Sequence, residues 1–290
     1  ISIVLLIYVL VFGKVINGAK AWITIKGLSF QPSELTKLSL AIMLSNLACK
    51  FKSTGIKSEF IFLLKVAILI LIPSVLVFLE PDSGAIIFFL VITLAILIFS
   101  DIHKFWFTIV FILIALFIGG FILLYLYNKD LLINLIGTSF FYRVERLITF
   151  KTMSSYQLEN ALVAMGSSSL LGTGLGKVSL YIPEAPTDFI FAFSISNFGY
   201  LCGFIILSCY FLMDLFLINK IINMKKNTLK YILISFTSIF LFGQIINIGM
   251  NLGLLPIIGI PLPFLSYGGS TLIIYFTFLS IIFNSFEKSY

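Results

Sequence analysis

Residues 60–100, FIFLLKVAILILIPSVLVFLEPDSGAIIFFLVITLAILIFS, consist of two long apolar runs joined by a short polar turn. Only Lys65, Glu80 and Asp82 carry charge in this stretch. An α-helix needs about 20 predominantly apolar residues to cross the hydrocarbon core of a bilayer, and each run approaches that length. The two runs around EPDSG therefore predict a pair of antiparallel membrane-spanning helices.

The rest of the chain continues this pattern. Of its 290 residues, 60% are hydrophobic and 11% are charged, whereas soluble domains average about 25% charged residues. The alternation of polar and apolar residues that is typical of a transmembrane barrel is absent. We therefore predict an all-α polytopic membrane protein with eight membrane-spanning helices. The predicted segments are 1–13, 33–50, 60–79, 84–100, 104–127, 189–218, 230–253 and 268–286.

These segments are expected to form a single integral-membrane domain over residues 1–290. The chain starts at Ile1, already inside an apolar run, so we expect it to be a fragment that begins within a transmembrane helix. One connection, 128–188, is much longer than the others, and such connections are usually functional or disordered. Its apolar stretches LLINLIG and ALVAMG predict interfacial or re-entrant helices.

The basic residues predict the orientation. Cytoplasmic loops carry an excess of Lys and Arg, and long loops count little toward this bias. Ten of the 19 Lys and Arg residues lie on the side that contains loops 50–59, 101–104 and 219–230, Lys65 near its helix end and the C-terminus with Lys288. We place that side in the cytoplasm, which puts the 128–188 loop outside. The formal charge of +7 is explained by this bias, because the basic residues are spread between apolar runs rather than clustered as in a nucleic-acid-binding face.

Five polar clusters fall on the outer side, at 18–38, 80–84, 142–146, 183–189 and 259–270. Each has a purely structural interpretation. In the first, Glu34 and Lys37 are three residues apart and can form an ion pair on one helical face, with Trp22 as an interfacial anchor. EPDSG can be a solvated turn. In YRVER, Arg143 and Arg146 can form a solvated face, or can present two guanidinium groups to phosphate.

The fourth cluster, PEAPTDF, ends at the start of a predicted span. Thr187 or Asp188 can cap that helix, or the Asp188 carboxylate can act in chemistry. In the fifth cluster, GIPLPFLSYGGS, the prolines and glycines predict a non-helical segment. At membrane depth such a backbone is tolerated only when it is buried in protein or lines a cavity.

Other chemistries find little support. His103, the single histidine, lies in a short turn away from every cluster, so a histidine-based triad or metal site is not expected. No Walker A sequence is present to bind nucleotide phosphates. No ligand set for a metal ion is evident, and no nucleic-acid partner is expected.

The clusters QPSELTK, EPDSG, PEAPTDFIFA and NIGMNLGLLPIIGIPLPFLSYGGS, in this order and spacing, resemble the SEDS family (shape, elongation, division and sporulation). Its members include RodA, FtsW and SpoVE. The resemblance runs from about residue 18 to residue 283. It implies about ten transmembrane helices in the full-length protein, of which the first two would precede this chain. GIPLPFLSYGGS favours a RodA-like member, whereas YRVERL is more similar to FtsW.

The resemblance also implies an activity. Family members are peptidoglycan glycosyltransferases that polymerise lipid II, an undecaprenyl-pyrophosphoryl disaccharide-pentapeptide, at the outer face of the bacterial cytoplasmic membrane. They act in cell elongation or division, usually with a class B penicillin-binding protein as the transpeptidase partner. Asp188 matches the family's essential catalytic residue. A divalent cation, Mg²⁺ or Mn²⁺, can assist, although no ligand set for it is apparent.

Chemistry and resemblance together define a predicted site. The Asp188 carboxylate can take the proton of an acceptor hydroxyl, and partial desolvation would raise its pKa toward a useful value. Cationic side chains can stabilise the leaving pyrophosphate, and Lys37, Arg143 and Arg146 are predicted for that role. The remaining predicted substrate-binding residues are Trp22, Glu34, Glu184, Thr187 and Ser266.

The sequence departs from the family pattern at four places. Ala21 replaces the usual Arg before Trp22, Glu80 replaces Gln, Pro186 replaces His, and SNFG at 196–199 stands where the family often has EELG. These departures indicate either a divergent branch or reduced activity. Two other functions stay open: a flippase for lipid-linked precursor, and a non-catalytic scaffold for a penicillin-binding protein. The flippase is less favoured because the inner halves of the spans contain almost no polar residue except Asp214.

Overall fold

The computed structural model describes residues 1–16, 19–25, 28–138, 141, 145, 156–174 and 180–287, and most of them are helical. The elements in chain order are α1 (Ser2–Phe12), β1 (Lys14–Ile16), β2 (Ala19–Ile25), β3 (Leu28–Phe30), α2 (Pro32–Lys50), α3 (Ile56–Leu79), α4 (Ser83–Ile98), α5 (Phe105–Tyr127), α6 (Lys129–Ile136), α7 (Tyr156–Gly166), α8 (Ile190–Asn223), α9 (Thr228–Asn251) and α10 (Gly269–Glu287).

All eight predicted membrane segments are helices, so the predicted all-α membrane fold is confirmed. Four of them, α3, α5, α8 and α9, are long and apolar enough to cross a bilayer, and α1, α4 and residues 269–283 are shorter apolar helices. Apolar side chains cover their outer faces because the surrounding solvent is hydrocarbon. The protein is a multi-pass membrane protein.

A small antiparallel sheet between α1 and α2 was not predicted. Its order is β1-β2-β3, with Lys14 opposite Trp22 and Ile23 opposite Phe30. Lys20 donates hydrogen bonds to the carbonyls of Leu10 and Val11, at 2.8 and 3.0 Å. A cation at the end of α1 is favourable because helix C-termini carry partial negative charge. The strands are too short for their alternation to be read from the sequence.

Residues 1–100 and 157–290 form one compact unit, and residues 101–156 form a second. In the first unit α2, α4 and α9 pack on one another, with α3, α8 and α10 against them. In the second unit α5 packs on α6, and Asn128 caps α6 by accepting a hydrogen bond from the Leu131 amide at 3.0 Å. The stretches LLINLIG and ALVAMG are helical as predicted, in α6 and α7; an interfacial or re-entrant location stays a prediction.

Helix α8 bends sharply at Gly199, whose φ and ψ are 84° and 176°. A Cβ placed on Gly203 would lie 3.9 Å from the Phe191 ring. In a straight helix these two residues would be separated by about 18 Å along the axis. The segment 190–198 therefore folds back against the longer arm that follows the bend.

The segment 168–174 fills the bend. Thr173 and Gly174 donate their amides to the carbonyls of Ser196 and Asn197, at 3.2 and 3.0 Å. In return, the amides that follow Gly199 donate to carbonyls of residues 169 and 170. Backbone groups opened by a bend in an apolar environment need such partners. The carbonyls of SNFG perform this role, so it does not depend on the side chains by which this stretch departs from the family.

Candidate functional site

The loop PEAPTDF is fixed against the segment 259–270. Ser266 donates a hydrogen bond to the Thr187 carbonyl at 2.6 Å and accepts one from the Leu262 amide at 2.7 Å. The Tyr267 amide donates to the Pro186 carbonyl at 2.8 Å. Ser266 is buried, and within the described residues its hydroxyl forms hydrogen bonds with backbone groups only. The structure therefore places Ser266 as a support of the loop.

Two asparagines on α9 hold the backbone of Asp188. Asn247 and Asn251 each donate a hydrogen bond to the Asp188 carbonyl, both at 2.9 Å. Asn247 also donates to the Ile260 carbonyl at 2.8 Å, and Asn251 accepts from the Ala192 amide at 3.0 Å. Both asparagines are completely buried. They tie together the PEAPTDF loop, the start of α8 and the 259–270 segment, so the position of Asp188 is determined through its main chain.

The Asp188 side chain is not a helix cap. The N-cap position of α8 is Phe189, and no side-chain hydrogen bond caps the helix. The expectation that Thr187 or Asp188 caps it is therefore wrong, because the loop turns into the helix one residue later. The carboxylate lies against Gly259, where an added Cβ would be 3.4 Å from Oδ2. Within the described residues it accepts no hydrogen bond.

Burial, together with the smaller effect of the nearby negative charge of Glu184, raises the pKa of Asp188 to about 6. A carboxylate that does not cap a helix, forms no ion pair and has a pKa near neutral has the properties of a general base. Its desolvation is the physical reason, as the sequence predicted.

Glu184 and Thr187 lie on the more exposed side of the loop. The Glu184 backbone has a positive φ of 53°, and its carbonyl accepts hydrogen bonds from the amides of Thr187 and Phe189, at 3.2 and 3.1 Å. Its carboxylate accepts from the Thr187 hydroxyl at 3.1 Å. Glu184 is exposed and Thr187 partly exposed, and Glu184 is close enough for its charge to act on Asp188; their role in substrate binding stays a prediction.

The turn EPDSG joins the same cluster. Asp82 accepts hydrogen bonds from the Gln31 side chain at 2.7 Å and from the Ser33 hydroxyl at 3.0 Å. Its other oxygen accepts from the Ala85 amide at 3.1 Å and caps α4. The interpretation of EPDSG as a solvated turn is therefore wrong: the turn connects the start of α2 with the start of α4.

The start of α2 is in turn bonded to the end of the 259–270 segment. The Gln31 amide donates to the Ser270 hydroxyl at 3.1 Å, and that hydroxyl donates to the Ser29 carbonyl at 3.2 Å. Near the beginning of the segment, a side-chain atom of Ile260 lies 3.7 Å from the position of a Cβ added to Gly84. The clusters at 18–38, 80–84, 183–189 and 259–270 thus form one connected site.

Glu80 is buried without a partner. Its side chain is 0% exposed, and neither carboxylate oxygen has a hydrogen-bond partner among the described residues. Burial, together with the nearby charge of Asp82, raises the pKa of Glu80 to about 8. The side chain is therefore mainly protonated at pH 7, and a neutral carboxylic acid has nearly the shape of the glutamine that the family usually has here. This departure from the family is chemically conservative at neutral pH.

Glu80→Gln is expected to remove a pH dependence of stability. In the unfolded chain the Glu80 pKa is 4.5, so the unfolded state loses its proton first as pH rises. Wild-type stability should fall between about pH 4.5 and pH 8, because the folded state retains the proton. The measurement is the unfolding midpoint of the protein in detergent, followed from pH 5.5 to pH 8, and its slope against pH gives the pH dependence of stability. Equal slopes for wild type and Glu80→Gln would contradict it.

The ion pair between Glu34 and Lys37 is confirmed, with Nζ and Oε1 separated by 2.6 Å. It is buried rather than at a surface: Glu34 is 7% and Lys37 is 4% exposed. Lys37 also lies over the Phe88 ring, 4.3 Å from its centroid. Removing one partner of a buried charge pair strongly destabilises the folded protein, because the other charge then stays buried without a partner. Lys37 is only 4% exposed, so contact of its ammonium group with a substrate phosphate requires that the side chain become accessible.

Of the other predicted substrate-binding residues, the structure describes only Trp22. Trp22 is half-buried in β2. Arg143 and Arg146 lie outside the described residues. In the described part of the chain no group of three or more His, Cys, Asp and Glu side chains is arranged to hold a metal ion.

Sequence reasoning missed Asn247, Asn251 and the pairing of Gly199 with the 168–174 segment. A signal for the first two was present, because Asn residues four apart in NIGMN share one face of a helix. An amide pair on an otherwise apolar helix needs partners, which indicates a buried polar network. The contact of Gly199 with the 168–174 segment could not be predicted from local sequence, because it joins residues more than 20 positions apart in the chain.

Comparison with known proteins identifies the family. Residues 1–289 match the family model of FtsW, RodA and SpoVE, described as cell cycle protein. A protein of Buchnera aphidicola subsp. Baizongia pistaciae named "Probable peptidoglycan glycosyltransferase FtsW" is 37% identical, with 94% of this chain and 71% of that protein aligned. The relative of the same name in Wigglesworthia glossinidia brevipalpis is 34% identical, over 98% of this chain and 74% of its own length.

Solved structures give the same result. A chain from a structure entitled "Structural coordination of polymerization and crosslinking by a peptidoglycan synthase complex" superimposes with a TM-score of 0.72 at 26% identity, covering 97% of this chain and 77% of that one. Thermus thermophilus rod shape determining protein RodA superimposes with a TM-score of 0.63 at 25% identity, covering 97% and 73%. Both FtsW and RodA are represented among these matches, so the RodA-like assignment stays a prediction. The fold, the connected polar clusters and the relatives agree: this chain belongs to the SEDS family of FtsW, RodA and SpoVE.

Proposed function

We propose that this protein is a peptidoglycan glycosyltransferase that polymerises lipid II, with Asp188 as the general base. The observation that carries this proposal is the arrangement of Asp188. Its main chain is clamped by two buried amides, while its carboxylate caps no helix and its pKa is raised to about 6. The relatives' names support a glycosyltransferase that acts on peptidoglycan.

In the proposed reaction, the Asp188 carboxylate accepts the proton of a sugar hydroxyl on the acceptor. The hydroxyl oxygen then forms a bond to the anomeric carbon of the lipid-linked donor. The bond from that carbon to the pyrophosphate oxygen breaks, and its electron pair leaves with the undecaprenyl pyrophosphate. Because pyrophosphate is a good leaving group, charge stabilisation matters more than a strong acid. Arg143, Arg146 and Lys37 are proposed to stabilise that charge, and Trp22, Glu34, Glu184 and Thr187 to line the substrate site.

The location and partner are part of the proposal. The bias of basic residues supports a site on the outer face of the bacterial cytoplasmic membrane, within the single domain of residues 1–290 and its 128–188 loop. A structural match to a chain from a peptidoglycan synthase complex supports assembly with a class B penicillin-binding protein. Lipid II, a substrate with a membrane-embedded tail, fits a catalytic loop held at the ends of apolar helices.

Reconstitution tests the proposal. Full-length protein in liposomes, with and without its transpeptidase partner, is supplied with labelled lipid II, and polymer is resolved by gel electrophoresis. We expect glycan polymer. Transfer of labelled lipid between leaflets without polymer would indicate the flippase instead. Polymer formed only by the partner, at the same rate with and without this protein, would indicate a scaffold.

The pH dependence of the rate provides a separate prediction. Because the base must be deprotonated, the initial rate should rise with pH and reach half its maximum near pH 6, the pKa of Asp188. Glu184→Gln removes a charge that raises this pKa, so its rising limb should move to lower pH. Glu159→Gln in α7 is the matched control, since Glu159 does not contribute to the shift of Asp188. A rate that does not vary between pH 5 and pH 7 would contradict the assignment.

A further inference from the structure

A cavity of about 350 Å³ lies at the C-terminal end of α2, whereas the N-terminal end of that helix belongs to the connected polar site. It is formed where α2 ends, the linker 51–55 turns, and α3 begins. Its lining is Leu47, Lys50, Phe51, Lys52, Ser58, Ile61, Phe62 and Lys65. On α3, residues 58, 61, 62 and 65 are spaced by three or four and share one helical face. The cavity is thus a groove between two helices, not an isolated depression.

All charged side chains that line this groove are positive. Three lysines line it and no acidic side chain does. Lys50, Lys52 and Lys65 are exposed, and none of them forms an ion pair within the described part of the chain. Glu59, the nearest acid on α3, is instead fully buried and accepts a hydrogen bond from Ser53. Three unpaired cations around one opening attract an anion.

The walls of the groove are apolar. Phe51 and Phe62 stack with their ring centroids 4.1 Å apart, and Leu47 and Ile61 complete the lining. Lys65 lies nine residues inside α3, about 13 Å along the axis from Ile56. A lysine at that depth directs its ammonium group back toward the headgroup region. The expected occupant therefore has a negative headgroup and an attached hydrocarbon chain.

We propose that this groove binds the phosphate headgroup of an anionic phospholipid from the cytoplasmic leaflet. Lys50, Lys52 and Lys65 contact the phosphate, the Ser58 hydroxyl lies at the same opening, and the first part of an acyl chain packs on Phe51 and Phe62. Basic pockets between transmembrane helices on the cytoplasmic side are suited to such headgroups. The site is separate from Asp188 and does not depend on the chemistry proposed there.

Lipid binding to purified full-length protein tests this site. Native mass spectrometry in detergent measures retention of phosphatidylglycerol and of phosphatidylcholine, and the unfolding midpoint is followed with each lipid and with inorganic phosphate alone. The variant is Lys50→Gln/Lys52→Gln/Lys65→Gln. The matched control is Lys57→Gln/Lys104→Gln/Lys225→Gln, which removes three lysines outside the groove.

Wild type and the control are expected to retain phosphatidylglycerol at least about fivefold better than phosphatidylcholine, the effect of a single lysine near a lipid phosphate. The groove variant should show no preference, with an unchanged unfolding midpoint in the absence of lipid. The same preference in the groove variant, or none in wild type, would overturn the proposal. Equal stabilisation by inorganic phosphate would also overturn it, because the ligand would then be a free anion.

Discussion

Replacing Asp188 with Asn should reduce lipid II polymerisation by about 10²–10⁴-fold, the usual contribution of a general base. Asn has nearly the shape of Asp but cannot accept the proton of the attacking hydroxyl. The loop should remain in place, because Asn247 and Asn251 hold the main-chain carbonyl of residue 188 rather than its side chain. The measurement is the initial rate of polymer formation from labelled lipid II in liposomes.

Stability separates this catalytic role from a structural one. The unfolding midpoint of Asp188→Asn at pH 7.5 should equal or exceed that of wild type, since the substitution removes a carboxylate whose desolvation opposes folding. Removal of a helix cap lowers the free energy of unfolding by about 1 kcal/mol. Asp188→Ala should not show this decrease, because Asp188 caps no helix. Glu159→Gln serves again as the acid-to-amide control. An Asp188→Asn protein that polymerises at the wild-type rate would exclude Asp188 as the base.

Gly199→Ala should destabilise the protein by more than about 4 kcal/mol, a size reserved for severe structural defects. With φ at 84° and ψ at 176°, Gly199 occupies a region of backbone space that is essentially restricted to glycine. An added Cβ would also overlap the Leu170 carbonyl oxygen. Both effects would separate the 168–174 segment from the bend of α8, so the yield and the unfolding midpoint in detergent should fall together.

Gly166→Ala is the matched control for this prediction. Gly166 ends α7 two residues before the same segment, and, apart from its chain neighbours and the backbone of α7, no atom of the described residues lies within 4 Å of a Cβ added there. Its substitution should change stability by no more than about 1 kcal/mol, the difference in helix propensity between Gly and Ala. Gly172→Ala, whose Cβ would meet the Asn197 backbone, should resemble Gly199→Ala. If Gly199→Ala unfolds at the same midpoint as Gly166→Ala, the bend does not require glycine.

Much of the architecture could be predicted because lipid imposes strict rules on sequence. A backbone in hydrocarbon must satisfy its own hydrogen bonds, so each long apolar run becomes a helix, and all eight predicted segments are helical. The β-sheet between α1 and α2 follows no such rule. Its strands of three to seven residues are determined by pairing with each other and by contact with α1.

The candidate site was predictable only in part. The polar clusters and Asp188 were identified from motifs, and the ion pair of Glu34 and Lys37 followed from helical spacing. Glu80 was misjudged as part of a solvated turn, because burial depends on the helices around it. The prediction of a cap at Thr187 or Asp188 was wrong because the entry angle of a loop depends on its tertiary contacts, here with Ser266 and Tyr267.

The sequence alone determined the helical membrane fold, the segments that form it and the residues that bring polar chemistry to it. These depend on hydropathy and on spacing along the chain, which are local properties. Only the tertiary structure decided that Asn247 and Asn251 clamp Asp188, that Glu80 is a buried neutral acid, and that Gly199 receives the 168–174 segment. Burial, pKa and backbone contact depend on neighbours that are distant in the chain, and packing alone brings those neighbours together.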